Sequence, residues 1–213
     1  MEAFTTLTAI AAPMPKPNIN TDDIYPAAGA SAVARNMPAE AFGSQKHAGA
    51  NAFSALRYDD NCAPIPDFIL NQAPYDQAKI IVGGPNFGCG SSREMAVWAI
   101  AGIGVRSVIA ASFGDIFFNN CFKNSVLPIR LPQGEVEELL AMVSDPAKST
   151  LTVDLRAKTV TGADRKARPF EVAAYYREAL LGGLDEIAAT SKRLDRIEAF
   201  DRAYRAERPW LTF

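Results

Sequence analysis

The chain has 213 residues, of which 48% are hydrophobic, and it carries a net charge of −2 at pH 7. This length is typical of one large domain, while the near-neutral charge argues against a nucleic-acid or anionic-membrane binder. No apolar stretch approaches the roughly 20 residues that a membrane span needs, and the first residues lack the basic and apolar regions of a signal peptide. We therefore expect a cytoplasmic protein.

The N-terminal third predicts one strand followed by a long irregular segment. Residues 4–12 predict a first strand, which the prolines within residues 13–17 should end. Residues 27–78 are rich in Ala, Gly, Asn and Pro and predict a long loop with a few helical turns. Long loops in compact domains commonly serve substrates or partners, so we expect residues 27–57 to be mobile in the chain alone.

From residue 79 onward, strands and helices alternate regularly. The predicted elements are strand 79–83, helix 93–102, strand 106–111, helix 114–123, strand 126–131, helix 134–144, a hairpin at 150–155 and 158–161 with 169–172 beside it, helix 173–181 and an amphipathic helix at 191–207. The periodicities behind these predictions are those of half-buried strands and one-sided helices. They predict a single α/β domain.

A glycine-rich turn between strand 79–83 and helix 93–102 is the most informative segment, and it reads Gly88-Cys89-Gly90-Ser91-Ser92-Arg93-Glu94. Such a turn aims backbone N–H groups and the positive end of the helix dipole at one place. Two hydroxyls and a planar guanidinium add donors, and this combination favours a carboxylate. The competing interpretation is an ordinary tight turn with a serine helix cap.

Other glycine-rich motifs fit this turn poorly. It lacks the lysine of a P-loop, and Arg93 stands where a dinucleotide fingerprint has its third glycine. Ser91 lacks the second flanking glycine of a nucleophile elbow. His47, the only histidine, falls in a polar, loop-like segment, which disfavours a Ser-His-Asp triad.

The three cysteines, Cys62, Cys89 and Cys121, are far apart and form no Cys-x-x-Cys pair. Their odd number and spacing do not indicate a disulfide framework. An iron–sulfur cluster held by this chain alone would need clustered thiolates, so we expect this chain to bind no metal or cofactor. Cys89 could be reactive beside a helix N-terminus, although a small residue filling a tight turn is the interpretation we favour.

Three motifs in the same order resemble those of the aconitase superfamily. Residues 88–94 resemble its Gly-x-Gly-Ser-Ser-Arg-Glu signature, residues 18–26 (Asn-Ile-Asn-Thr-Asp-Asp-Ile-Tyr-Pro) its entry motif, and residues 112–129 a third motif. The resemblance runs from about residue 8 to residue 206 and is greatest to the small subunits of 3-isopropylmalate dehydratases. It implies the swivelling β/β/α domain of that superfamily, with mixed sheets and flanking helices, over residues 1–213.

The resemblance implies a hydro-lyase that interconverts 2- and 3-isopropylmalate by dehydration and rehydration in leucine biosynthesis. It implies a heterodimer or heterotetramer with a large subunit that carries a [4Fe–4S] cluster, whose iron accepts the departing hydroxyl. By the match, Ser91 is the catalytic base. Arg93, Ser92, Asp22 and Arg35 are implied to bind substrate. The alternatives are a turn or capping hydroxyl for Ser92, an Asx turn or cap for Asp22 and a surface arginine for Arg35.

Two departures from the family pattern leave the substrate open. Met95 stands where the family commonly has histidine, and residues 27–57 lack the expected bulky side chains. Small changes in a pocket can alter substrate choice, so 2-methylmalate or citraconate, dimethylmalate and homoaconitate are alternative substrates. The rival functions are a stand-alone hydrolase or transferase with Ser91 or Cys89 as nucleophile, and a non-catalytic carboxylate-binding module.

Overall fold

A mixed sheet organises the computed structural model, which describes residues 2–26 and 44–211. Its strands are β1 (Thr6–Met14), β2 (Ile80–Gly83), β3 (Ser107–Ala110), β4 (Leu127–Arg130), β5 (Thr150–Asp154), β6 (Thr159–Thr161) and β7 (Ala167–Pro169). Their order across the sheet is β4-β3-β2-β1-β5-β6-β7, so the N-terminal strand lies in the middle.

The two halves of this sheet differ in strand direction. Strands β1 to β4 pair in parallel, whereas β1 pairs with β5, β5 with β6 and β6 with β7 in antiparallel fashion. Every residue of β2 and β3 is buried, as expected for parallel strands covered on both faces. Strand β5 instead alternates between buried and partly exposed residues. The predicted mixed α/β architecture is confirmed.

Helices cover both faces of the sheet. They are α1 (Thr21–Ile24), α2 (Gln45–Ala50), α3 (Ser54–Arg57), α4 (Glu94–Gly102), α5 (Asp115–Lys123), α6 (Gln133–Val143), α7 (Ala174–Gly182), α8 (Glu186–Ser191) and α9 (Leu194–Glu207). Alternate strand residues point to opposite faces, and they divide between two apolar clusters. One cluster includes residues of α2 and α4, and the other includes residues of α6 and α7. No helix among the described residues is long and apolar enough to cross a membrane.

The sequence predicts that the first strand ends at residue 12, before the prolines. This prediction is wrong by two residues, because β1 continues through Pro13 to Met14. Pro13 lies opposite Val82 of β2, whereas pairing with β5 ends at Ile10. The Ala11 N–H still donates to the Ser149 carbonyl at 2.8 Å, but beyond Ala11 the strand pairs with β2 alone, and a proline without an N–H is tolerated at such an edge.

The polar, loop-like setting predicted for His47 is also wrong. His47 is buried within α2, which packs closely on α4. The close packing of α2 on α4 depends on glycines, since a Cβ on Gly49 would lie 2.5 Å from the carbonyl carbon of Gly102. Small residues that let two helices meet have no hydrophobic periodicity, which explains why the sequence pattern resembled a loop.

Two further boundaries differ from the prediction. The strand beside the hairpin covers residues 167–169 rather than 169–172. The predicted helix 191–207 is α9, which begins at Leu194 after the separate helix α8 ends at Ser191. The expected apolar side of α9 is solvent-exposed at Leu194, Ile197 and Phe200 among the described residues.

A buried arginine lies in β7, the last strand of the antiparallel half of the sheet. Arg168 in β7 is 1% exposed, and its Nη2 lies 2.6 Å from Asp164 Oδ2 and 2.9 Å from Glu138 Oε2. The hydrogen bond from Arg168 lowers the pKa of Asp164. Because the folded-state pKa lies below the unfolded value, ionised Asp164 stabilises the fold above the unfolded pKa, and this contribution is lost as pH falls through the folded-state pKa.

Replacing Asp164 by asparagine is expected to lower the free energy of unfolding at pH 7 by about 1–2 kcal/mol, since one charged hydrogen-bond acceptor of Arg168 is lost while Glu138 remains. The difference from wild type should shrink at acidic pH, where Asp164 is protonated. Urea unfolding of both proteins at several pH values measures this difference in the free energy of unfolding. Asp60→Asn is the control because Asp60 is exposed and makes no recorded side-chain contact among the described residues. A pH-independent difference would contradict the ionic explanation.

Candidate active site

The glycine-rich turn is bound to the N-terminal motif through backbone contacts. The Gly88 N–H donates to the Ile19 carbonyl at 2.7 Å, and the Thr21 N–H donates to the Cys89 carbonyl at 2.8 Å. The Thr21 hydroxyl donates to the Ser91 carbonyl at 3.1 Å. Two motifs about 70 residues apart in the sequence are therefore neighbours at one end of the sheet.

The third motif meets the same turn from its other side. The Phe87 N–H donates to the Ser112 carbonyl at 3.0 Å, and the Gly114 N–H donates to the Phe87 carbonyl at 2.9 Å. The Ser112 hydroxyl accepts a hydrogen bond from the Asn86 N–H at 2.8 Å. All three motifs recognised in the sequence thus converge, with the turn between the other two.

Glycine is required inside the turn for two reasons. Gly88 and Gly90 have φ angles of +71° and +96°, in the left-handed region that other residues rarely adopt. A Cβ on Gly88 would also lie 2.2 Å from the ring of Phe117. The backbone can therefore approach α5 closely and reverse direction before α4 begins.

Substituting Gly114 by alanine should displace this turn. Gly114 has an ordinary φ of −62°, but an added Cβ would lie 2.5 Å from the Gly88 carbonyl oxygen. We expect a stability loss of about 1–3 kcal/mol from overpacking, together with a loss of whatever activity the turn supports. Gly134→Ala is the matched control, since its Cβ would meet no atom within 4 Å. Equal stability and activity in the two variants, measured by urea unfolding and turnover, would contradict the steric account.

Ser91 and Ser92 lie at the exposed end of the turn. Neither hydroxyl is hydrogen-bonded within residues 2–26 and 44–211, and the N–H groups of Gly90, Ser91 and Ser92 have no acceptor there. The suggestion that a serine caps the helix is wrong, because the N-cap of α4 is Arg93 and it provides no side-chain cap. The serine hydroxyls and these N–H groups are consequently available to a ligand.

Arg93 and Asp22 form an ion pair across the two motifs. Their side chains are 30% and 54% exposed, respectively, so the pair is accessible to solvent. Exposed ion pairs contribute only ~0–1 kcal/mol, which means that a substrate carboxylate could replace Asp22 at low cost. The neighbouring Asp23 instead completes a capping box with Asn20 at the start of α1. Arg35 lies outside the described residues.

The cysteines do not create a metal centre in the described part of the chain. Cys89 is half-buried in the turn, and Cys121 is buried in α5, where burial raises the pKa of its thiol. Within the described ranges, no group of three or more His, Cys, Asp or Glu side chains could hold a metal ion. Met95, which replaces the expected histidine, packs partly buried against the apolar cluster that contains α4.

These groups can bind an anion and place a hydroxyl beside it. Free N–H donors and a guanidinium favour a carboxylate, and they also lower the cost of negative charge on a serine oxygen. Sequence reasoning assigned no role to Thr21 or Gly114, although both lie inside recognised motifs. The position of Thr21 at the first turn of α1, directly before Asp22, is the sequence feature that could have indicated its role. The role of Gly114 could be found only from its contact with the turn.

The aconitase C-terminal domain model matches residues 1–134 of the chain. The 3-isopropylmalate dehydratase small subunit of Rhodospirillum centenum is 48% identical over 210 residues, covering 99% of this chain and 98% of the relative. Those of Paramagnetospirillum magneticum and Roseobacter denitrificans are 46% and 45% identical over 211 residues, covering 99% of this chain and all of each relative.

A solved structure has the same fold. The crystal structure of 3-isopropylmalate dehydratase from Methanocaldococcus jannaschii aligns with a TM-score of 0.59 at 23% identity, covering 92% of this chain and 99% of that one. At this identity the likeness concerns the fold alone. It agrees with the mixed sheet and flanking helices described above.

Proposed function

The chain belongs to the aconitase C-terminal domain family, and on that premise we propose that it is the small subunit of a 3-isopropylmalate dehydratase. This enzyme is a hydro-lyase that interconverts 2- and 3-isopropylmalate in leucine biosynthesis, and the small subunit acts together with a large subunit. Near-complete coverage of curated small subunits at 45–48% identity supports this function.

The proposed catalytic base is Ser91. Dehydration requires removal of a proton from the carbon beside a carboxylate, and the serine oxygen accepts that proton as an alkoxide and returns it on rehydration. A serine hydroxyl is a weak acid, so its ionisation needs nearby donors and a cation. This role is supported by the exposed hydroxyl of Ser91, by the neighbouring Arg93, and by the N–H groups of Gly90 and Ser92, which have no acceptor within residues 2–26 and 44–211.

The proposed substrate-binding residues hold the carboxylates of the diacid. Arg93 grips one carboxylate with its planar fork, and the Ser92 hydroxyl adds a hydrogen bond. Asp22, which pairs with Arg93 in the free chain, keeps the guanidinium at the site until substrate arrives. Arg35 is proposed to bind the second carboxylate on the strength of the family resemblance.

The large subunit is the proposed source of the [4Fe–4S] cluster. The cysteines form no ligand group in the described part of the chain, so the residues described there do not fit the cluster. The specific partner and the heterodimeric or heterotetrameric state are part of the proposal. We also propose that residues 1–213 act as one swivel domain in the cytoplasm, with residues 27–78 serving substrate and partner contacts.

Reconstitution tests the proposal. The purified chain is mixed anaerobically with a cluster-loaded large subunit, and the absorbance of the unsaturated acid is followed with 2- or 3-isopropylmalate and then with citraconate. Activity on isopropylmalate that requires both chains is expected. Activity on citraconate alone would move the substrate to the 2-methylmalate class, and turnover by this chain without a partner would support a stand-alone enzyme instead.

A further inference from the structure

Thr21 contacts the glycine-rich turn with both its backbone and its side chain. It is 1% exposed, and it begins the short helix α1. Its N–H donates to the carbonyl of Cys89 at 2.8 Å, and its hydroxyl donates to the carbonyl of Ser91 at 3.1 Å. One buried residue thus holds two carbonyls of the turn, at the positions on either side of Gly90.

Each of those carbonyls belongs to a peptide group whose N–H lies on the next residue. The Cys89 carbonyl shares a plane with the Gly90 N–H, and the Ser91 carbonyl shares a plane with the Ser92 N–H. Both peptide bonds are trans, so carbonyl and N–H point in opposite directions. Holding the two carbonyls toward Thr21 therefore directs the N–H groups of Gly90 and Ser92 away from it.

These same two N–H groups have no acceptor among the residues that the structure describes, and they flank the Ser91 side chain in the sequence. Gly90, at φ +96°, can rotate its adjoining peptides more readily than another residue could. A rotated peptide would present a carbonyl oxygen where an N–H is needed, and this would repel negative charge on the Ser91 oxygen. The peptide between Cys89 and Gly90 consequently needs a restraint from outside the turn. The Ser91 carbonyl already accepts a hydrogen bond from the Arg93 N–H at 2.8 Å, and the Thr21 hydroxyl adds the second one.

We infer that Thr21 is a positioning residue that sets the direction of the Gly90 and Ser92 N–H groups, so that they stabilise negative charge on the Ser91 side chain. This inference rests on the proposed role of Ser91 as the base. The Thr21 hydroxyl sets the peptide between Ser91 and Ser92, while its N–H sets the peptide between Cys89 and Gly90. The hydroxyl can be removed without changing the backbone.

The test compares Thr21→Val, which lacks the hydroxyl, with Thr21→Ser, which keeps it. Thr8→Val is the matched control, because the Thr8 hydroxyl bonds to Thr152 at 2.9 Å on the exposed surface of the sheet. In the complex with the large subunit, Thr21→Val should lower kcat on isopropylmalate about tenfold to a hundredfold. This is less than the roughly 10²–10³-fold associated with complete loss of one donor at an anionic centre, because the Ser92 N–H is kept and loses only its restraint. KM should change less than about threefold, since these donors contact the base rather than the substrate and alter the fraction of Ser91 that is ionised. Thr21→Ser and Thr8→Val should keep wild-type kcat.

A second readout uses the isolated chain and does not depend on turnover. The NMR resonances of the Ser91 carbonyl carbon and the Ser92 amide nitrogen should shift in Thr21→Val and return in Thr21→Ser. Unchanged resonances, an unchanged kcat in Thr21→Val, or an equal loss of kcat in Thr21→Ser would overturn the inference. An inactive wild-type complex would instead overturn the proposed function, while the resonances would still decide whether Thr21 sets the peptide.

Discussion

Replacing Ser91 by alanine is expected to lower kcat of the reconstituted enzyme by about 10²–10⁴-fold, because the group that accepts the substrate proton is removed. The fold should persist. The Ser91 carbonyl, which accepts hydrogen bonds from the Thr21 hydroxyl and the Arg93 N–H, is unaffected by the change. Turnover of isopropylmalate, measured beside thermal unfolding and binding of the large subunit, separates loss of chemistry from loss of structure.

Ser191→Ala provides the matched control, since Ser191 is an exposed serine at the end of α8. It should leave kcat unchanged. A Ser91→Ala enzyme that retained more than about a tenth of wild-type kcat would contradict the assignment of the base, since general bases contribute about 10²–10⁴-fold. It would favour the carboxylate-binding module over the catalytic subunit.

Replacing Arg93 by alanine is expected to lower kcat/KM by about a hundredfold to a thousandfold, through loss of a charge-assisted, two-pronged contact with a substrate carboxylate. Arg93→Lys should recover only part of this loss, because an ammonium carries the charge but cannot make the paired contact. The backbone N–H of Arg93 would still donate to the Ser91 carbonyl in both variants. Steady-state kinetics with isopropylmalate measures the two effects.

Stability should respond differently from activity in the Arg93 variants. The exposed ion pair with Asp22 contributes only ~0–1 kcal/mol, so urea unfolding should change little. Arg202→Lys is a suitable control, as Arg202 is exposed on α9 without a recorded side-chain contact in the described chain. Full activity of Arg93→Ala would remove the residue from the substrate site, and a large loss of stability would assign it a structural role.

The alternating strands and helices after residue 79 could be predicted because each buries a continuous or one-sided apolar surface. Strands β2, β3 and β4 and helices α4, α5 and α6 lie within one residue of their predicted bounds at either end. The strand order could not be read from periodicity, which is local. Pairing of β1 with both β2 and β5 depends on contacts between distant parts of the chain.

The residues of the candidate site were found from the sequence, but their supporting contacts were not. The glycine turn and the entry motif identified Ser91, Arg93 and Asp22, and the structure brings Asp22 to Arg93. The clash that excludes a side chain at Gly114 depends on a neighbour 26 residues earlier, Gly88. The roles of Ser91, Ser92, Arg93 and Asp22 in catalysis and substrate binding remain predictions, and Arg35 awaits the same mutational test.

The central place of the first strand has a consequence for synthesis on the ribosome. Thr8 and Thr152, which face each other across β1 and β5, are 144 residues apart. At ~5–20 residues per second, their separation corresponds to roughly 7–30 s of translation. Until β5 emerges, residues 6–10 present unpaired N–H and carbonyl groups, the kind of edge that recruits other chains. We therefore expect nascent chains that stall before residue 150 to depend on chaperones and to aggregate readily when these are depleted.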